Sequence, residues 1–168
     1  MNSERIISLV TAKAGSPSVR FEHHQLQDLA ASMAHADIRD YLTCCLPVDG
    51  YAASGVRIHS LDRIRDEVCA GAGPGGYIFP HGYVVIASSV GGNAVCFHSP
   101  SGHVVWADHE SFSDDSISYE DRTTGDWRYL PFAAENIQRA VVPLSDDIES
   151  FLTDLLHDRL ETKLDELD

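Results

Sequence analysis

Residues 82–112, GYVVIASSVGGNAVCFHSPSGHVVWADHESF, decide the fold. Three apolar runs, at 83–87, 94–99 and 104–107, are separated by Gly91-Gly92-Asn93 and by Pro100-Ser101-Gly102. Short β-rich runs bounded by Gly, Asn and Pro predict adjacent antiparallel strands joined by tight turns. Glycine supplies the positive φ such turns need, and proline presets φ at their entry. The meander ends in Trp106-Ala107-Asp108-His109-Glu110, a polar cluster after a buried run.

Working outward, residues 5–11 read as a strand, followed by a Gly15-Ser16-Pro17 turn. Residues 24–35 place Leu26, Leu29, Ala30 and Met33 at helical spacing. Asp37 is the expected N-cap of a second helix whose Ile38, Tyr41, Leu42 and Cys45 face inward, stopped by Pro47 and Asp49-Gly50. A strand at 56–60 and a short helix at 61–68, with Leu61, Ile64 and Val68 on one side, follow. Next come a glycine-rich loop at 71–76 and a short strand at 77–79. After the meander, residues 111–130 read as one long polar connection, 137–142 as the last strand, and Ser145 as the cap of a final helix. Ile148, Leu152, Leu155, Leu156 and Leu160 form that helix's apolar stripe. Strands gathered centrally with helices at both ends predict an α+β fold: a single, largely antiparallel sheet with a central meander, backed by helices.

At 168 residues, with 43% hydrophobic and 23% charged residues, the chain reads as one soluble globular domain. No apolar stretch reaches the roughly 20 residues of a membrane span. The first ten residues carry Glu4 and Arg5 before a short apolar run and do not read as a signal peptide. The four cysteines lack CxxC spacing and sit among apolar residues, so buried, reduced thiols in a cytoplasmic protein are expected.

The charge is localised. Of the net −14, residues 108–126 hold seven acids and one base, and residues 145–168 hold nine acids and two bases. A basic nucleic-acid footprint is absent, so neither nucleic acid nor membrane is the expected partner. An acidic field favours a cationic protein partner by steering its encounter, and it also serves solubility.

Catalytic motifs are weak. Gly71-Ala72-Gly73-Pro74-Gly75-Gly76 satisfies GxGxxG, but it follows a helical pattern and precedes β-like sequence, the reverse of a dinucleotide site. Ser88-Ser89 precedes a turn and lies in no GxSxG elbow. Cys44-Cys45 falls on the inner face of a helix, where burial makes a thiol inert. His98, His103, Asp108, His109 and Glu110 supply metal-ligand chemistry without HExxH spacing; a metal-dependent enzyme or regulator built on them is the alternative reading. No motif specifies a cofactor.

Aromatics among the acids suggest recognition. Trp106, Phe112, Tyr119, Trp127 and Tyr129 are interleaved with Asp108, Glu110, Asp114, Asp115, Glu120 and Asp121. Aromatic anchors ringed by charge suit a protein-binding hot spot. Trp106, ending a buried strand, is expected in the core, and Trp127, in polar sequence, at the surface. The expected binding set is Asp108, Glu110, Asp114, Asp115, Tyr119, Glu120, Asp121, Trp127 and Tyr129.

The run Gly91-Gly92-Asn93-Ala94-Val95-Cys96-Phe97 with Gly102-His103-Val104-Val105-Trp106-Ala107-Asp108-His109-Glu110 resembles the SUKH superfamily, the Smi/Knr-like domains. Arg39-Asp40-Tyr41-Leu42, Leu46-Pro47 and Ala140-Val141-Val142 leading to Ile148-Glu149-Ser150-Phe151-Leu152 extend the likeness over residues 38–156, with 1–37 variable and 157–168 an acidic tail. The resemblance marks Gly91, Gly92, Asn93, Gly102 and Trp106 as a structural signature. It implies an α+β domain without catalytic residues. Many bacterial members resemble immunity proteins that block a cognate toxin, and eukaryotic relatives act as interaction modules. The expectation is therefore a cytoplasmic protein-binding domain of the immunity type whose acidic surface suits a basic toxin such as a nuclease. A scaffold or oligomerisation domain is the remaining alternative.

Overall fold

The computed structural model describes residues 1–15, 20–69, 73–113, 115–121 and 123–167. The chain begins with α1 (Ser3–Ala14), a 3-10 helix (His23–Ala34), and α2 (Ala36–Asp40) running into a π-helical turn (Tyr41–Cys45). A hairpin of β1 (Tyr51–Ala53) and β2 (Val56–Ile58) leads to α3 (Leu61–Cys69) and α4 (Gly73–Ile78). The meander follows as β3 (Tyr83–Ser89), β4 (Ala94–His98) and β5 (Val104–Ala107). A second hairpin, β6 (Ser116–Glu120) and β7 (Trp127–Pro131), precedes α5 (Ala134–Ala140), β8 (Val141–Ser145), α6 (Ile148–Leu156) and α7 (Glu161–Asp165).

The fold is α+β, as expected. Six strands form one antiparallel sheet in the order β1-β2-β3-β4-β5-β8, and β6-β7 form a separate two-stranded sheet. The meander's apolar runs are unbroken because both faces of the sheet are covered. Val84, Val95, Phe97, Val104 and Trp106 pack with α1, the 3-10 helix, α2 and its π-helical turn, α6 and α7. Tyr83, Val85, Cys96, Val105 and Ala107 pack instead with Ile78 of α4, Phe112, Ile117 of β6 and Ile137 of α5. A bulge interrupts the β3–β4 register, so that Val85 faces Cys96 and Ala87 faces Val95, with Ile86 as the extra residue. Among the described residues no helix is long and apolar enough to cross a membrane.

Four local expectations are corrected. Residues 5–11 are helical: the Asn2 side-chain oxygen accepts the Arg5 N–H, Gly15 closes the end at φ 66°, and Ile6 and Val10 reach the core one turn apart. Tertiary burial of that face outweighs the β-branched composition that suggests a strand. Residues 77–79 are not a strand, because α4 runs to Ile78. Its Gly75 lies so close to α3 that a Cβ there would sit 2.9 Å from the Glu67 carbonyl oxygen. The glycines at 73, 75 and 76 thus lie in a helix, not a loop, with Gly75 serving its packing on α3; Gly71 and Ala72 lie outside the described residues. The last strand is 141–145, not 137–142, because α5 occupies Ala134–Ala140. Residues 111–130 are no open connection but carry most of the β6–β7 hairpin.

The caps move as well. His35, not Asp37, caps α2, its Nδ1 accepting the Asp37 N–H, and Asp147, not Ser145, caps α6 through the Ser150 N–H. The helix expected at 24–35 is a 3-10 helix over His23–Ala34, with Leu26 and Leu29 buried; the side chains of Ala30 and Met33 and the turn residues Ser16 and Pro17 lie outside the described set. The final helix ends at Leu156, short of the expected stripe residue Leu160, and the acidic tail forms α7, whose Leu164 returns to the core.

Candidate functional site

The end of β5, the β6–β7 hairpin, the junction of α5 with β8, and the segment after α7 enclose a cleft of about 510 Å³. Its walls bring together Asp108, Tyr119, Glu120 and Trp127, four of the residues expected to bind a partner. They are joined by Arg139 and Glu166, on which sequence reasoning was silent. Three carboxylates against one guanidinium leave the cleft net acidic. Trp106 also lines it, 2% exposed, and its buried indole Nε1 has no hydrogen-bond partner.

Hairpin register explains the aromatic display. Glu120 is paired with Trp127 and Ser118 with Tyr129, so these four share the outer face, while Ile117 and Leu130 form an inward pair. Trp127 is 54% exposed and Tyr129 73%. Tyr129 therefore extends the aromatic surface without lining the cleft.

The remaining expected residues do other work or stand apart. Asp121 holds the hairpin turn: its carboxylate accepts the Thr123 N–H at 2.9 Å and lies 3.7 Å from Arg128 Nε. The Thr123 backbone bond, aided by Arg128, keeps its carboxyl below the usual range. Asp115 accepts the Ser113 hydroxyl at 3.3 Å, and Glu110 is exposed on the 3-10 turn after β5. Asp114 lies outside the described residues.

The signature residues have structural roles, with one exception. Gly92 (φ 93°) and Gly102 (φ 81°) make turns that L-residues resist, and a Cβ on Gly102 would meet His35 Nε2 at 2.9 Å. Gly91 is exposed and has no positive φ, so its place in the signature has no conformational cause. Asn93 is buried and ties the β3–β4 turn to His109.

The metal-ligand candidates are divided between the two ends of β5, about 13 Å apart at strand rise. At one end the His98 ring stacks on Tyr83 at 4.2 Å, with its Nδ1 2.8 Å from Ser101 Oγ. Burial, then His103, lowers the His98 pKa. At the other end His109 Nδ1 lies 3.0 Å from Asn93 Oδ1, and Asp108 accepts the Glu110 N–H. Among the described residues no three His, Cys, Asp or Glu side chains gather as a metal site. Burial raises the thiol pKa of Cys45 and of Cys96, whereas Cys69, at the exposed end of α3, departs from the expected burial.

The chain matches no family model, no curated protein and no solved structure, so its geometry carries the functional reading.

Proposed function

We propose that this chain is a non-catalytic, cytoplasmic protein-binding domain, an immunity protein of the SUKH type that it resembles, which neutralises a basic toxin of the nuclease class. The observation that carries this reading is the cleft in which Asp108, Glu120 and Glu166 stand beside Trp127 and Tyr119. Carboxylates accept charge-assisted hydrogen bonds from Lys and Arg, and an indole face receives a guanidinium. A basic loop of the partner meets both requirements. Beside the cleft, Tyr129 widens the surface into an aromatic patch within an acidic border, the composition of a binding hot spot. Nucleases present cationic surfaces to phosphate, and an acidic inhibitor offers the charge they are built to receive.

The test pairs the purified protein with the catalytic domain of a toxin-like reading frame adjacent to its gene. The association rate falls at least about tenfold between about 50 and 500 mM NaCl. A rate indifferent to salt, or a toxin left fully active by excess protein, overturns the proposal.

A further inference from the structure

A second cleft, of about 360 Å³, opens where β2 passes into α3 and shares no lining residue with the acidic one. Arg57, His59, Ser60, Arg63 and Ser88 line it, with Asp49 as its one acid among the described residues. Arg57 and Ser88 are direct cross-strand partners, so both side chains rise from the same face of the sheet. His59, 2% exposed, donates its backbone N–H to the Ile86 carbonyl and places Nε2 2.9 Å from Ser88 Oγ. Ser60 stands at the start of α3, with its Oγ 3.4 Å from the Arg63 N and its carbonyl accepting the Ile64 N–H. The positive end of this nine-residue helix is therefore at the cleft.

The charge of this place is unlike that of the molecule. A chain of net −14 holds two of its twelve basic side chains around one buried imidazole. Arg63 is paired with Glu67 one turn along α3, whereas Arg57 forms no ion pair among the described residues. Like charges gathered in this way are unfavourable unless an anion offsets them.

We propose that this cleft binds a phosphate-class oxyanion, a phosphate monoester group, between the guanidiniums of Arg57 and Arg63, with the hydroxyls of Ser60 and Ser88 and the first turn of α3 as further donors. A carboxylate is satisfied by one guanidinium fork, whereas the three terminal oxygens of a phosphate use donors from several directions. The volume suits a small body attached to the phosphate. Asp49 on the rim disfavours longer polyanions.

His59 supports the site through Ser88. With its proton on Nε2, the ring donates to Ser88 Oγ, which frees the serine proton for the cleft. That tautomer leaves Nδ1, which has no partner, as a bare lone pair and not a stranded donor. The same pair makes a poor nucleophile and base. Among the described residues no carboxylate reaches Nδ1 to stabilise an imidazolium, and both arginines oppose one. Binding, not hydrolysis, is the chemistry of this pair.

The experiment titrates isotope-labelled full chain with inorganic phosphate at constant ionic strength, following amide resonances by NMR. Acetate is the comparison anion. Saturable shifts centred on residues 57–64 and 88 are expected, with acetate at least about tenfold weaker. The variants Arg57→Gln and Arg63→Gln, at exposed positions, keep the wild-type spectrum elsewhere and weaken binding at least about fivefold each. Trp127→Ala leaves phosphate binding unchanged, so this result stands or falls separately from the toxin-binding proposal. Absent or non-saturable shifts, equal binding of acetate, or undiminished binding in both arginine variants overturns the assignment.

Discussion

Asn93 Oδ1 accepts two hydrogen bonds from one residue, the backbone N–H and the ring Nδ1–H of His109, each at 3.0 Å. Because the amide oxygen only accepts, the imidazole proton is assigned to Nδ1. The pair links the β3–β4 turn to the exit of β5 across sixteen residues of chain. Asn93→Ala strands a backbone donor and lowers unfolding free energy by about 1–2 kcal/mol. Urea denaturation measures this, and a variant as stable as wild type would remove the link from the account.

His59 makes stability depend on pH. Burial, then Arg63 and Arg57, brings its pKa from the ordinary 6.5 down to about 4. The unfolded chain therefore binds the proton more readily. The contribution of neutral His59 is complete above about pH 6.5 and is lost as pH falls toward 4. Between pH 7.5 and 5 the wild type loses about 2 kcal/mol more than His59→Gln. Parallel pH profiles for the two proteins would contradict the burial of a neutral ring.

The two tryptophans separate core from surface. Trp106→Ala empties a fully buried site and costs about 3–5 kcal/mol, whereas Trp127→Ala changes stability by about 1 kcal/mol or less. In single-tryptophan variants, acrylamide quenches the Trp127 fluorescence much more strongly than that of Trp106. Equal quenching would refute the assignment of the two indoles.

Gly75 sets propensity against space. Alanine favours a helix over glycine by about 1 kcal/mol. At Gly75, however, the new methyl would meet the Glu67 carbonyl at 2.9 Å and Val85 Cγ2 at 3.1 Å. Gly75→Ala is expected to destabilise by about 1–3 kcal/mol, since backbone oxygen cannot rotate away. A gain in thermal stability would show that α3 and α4 have room to part.

The meander was legible because its turns carry glycine where φ is positive and its strands carry apolar residues on both faces. The inward set Ile38, Tyr41, Leu42 and Cys45 was legible for a related reason: helical spacing survives the change from α to π geometry. Residues 5–11 were not, because Ile-Ile-Ser-Leu-Val-Thr satisfies a strand pattern locally and only packing against α6 and the π-helical turn selects the helix. At the acidic cleft, Asp108, Tyr119, Glu120 and Trp127 stood out through their chemistry. Arg139 and Glu166 did not, because they reach the site only when β8 inserts beside β5, a non-local pairing with no signal in either segment. Arg57, His59 and Ser88 were hidden similarly, brought together by the β2–β3 register.

The bulge at Ile86 acts as a phase shifter within one strand. Val84 and Ile86 point to the helical layer, and with the extra residue Ala87 does too. From there the parity of β3 is reversed, and Ser88 emerges beside Arg57 on the opposite face. A regular β3 that kept Ile86 in the ladder would turn Ser88 into the core and Ala87 toward the cleft, whereas excising Ile86 would leave both on their present faces. The arginine cleft is thus written in one irregularity of the β3 backbone as much as in side-chain identity.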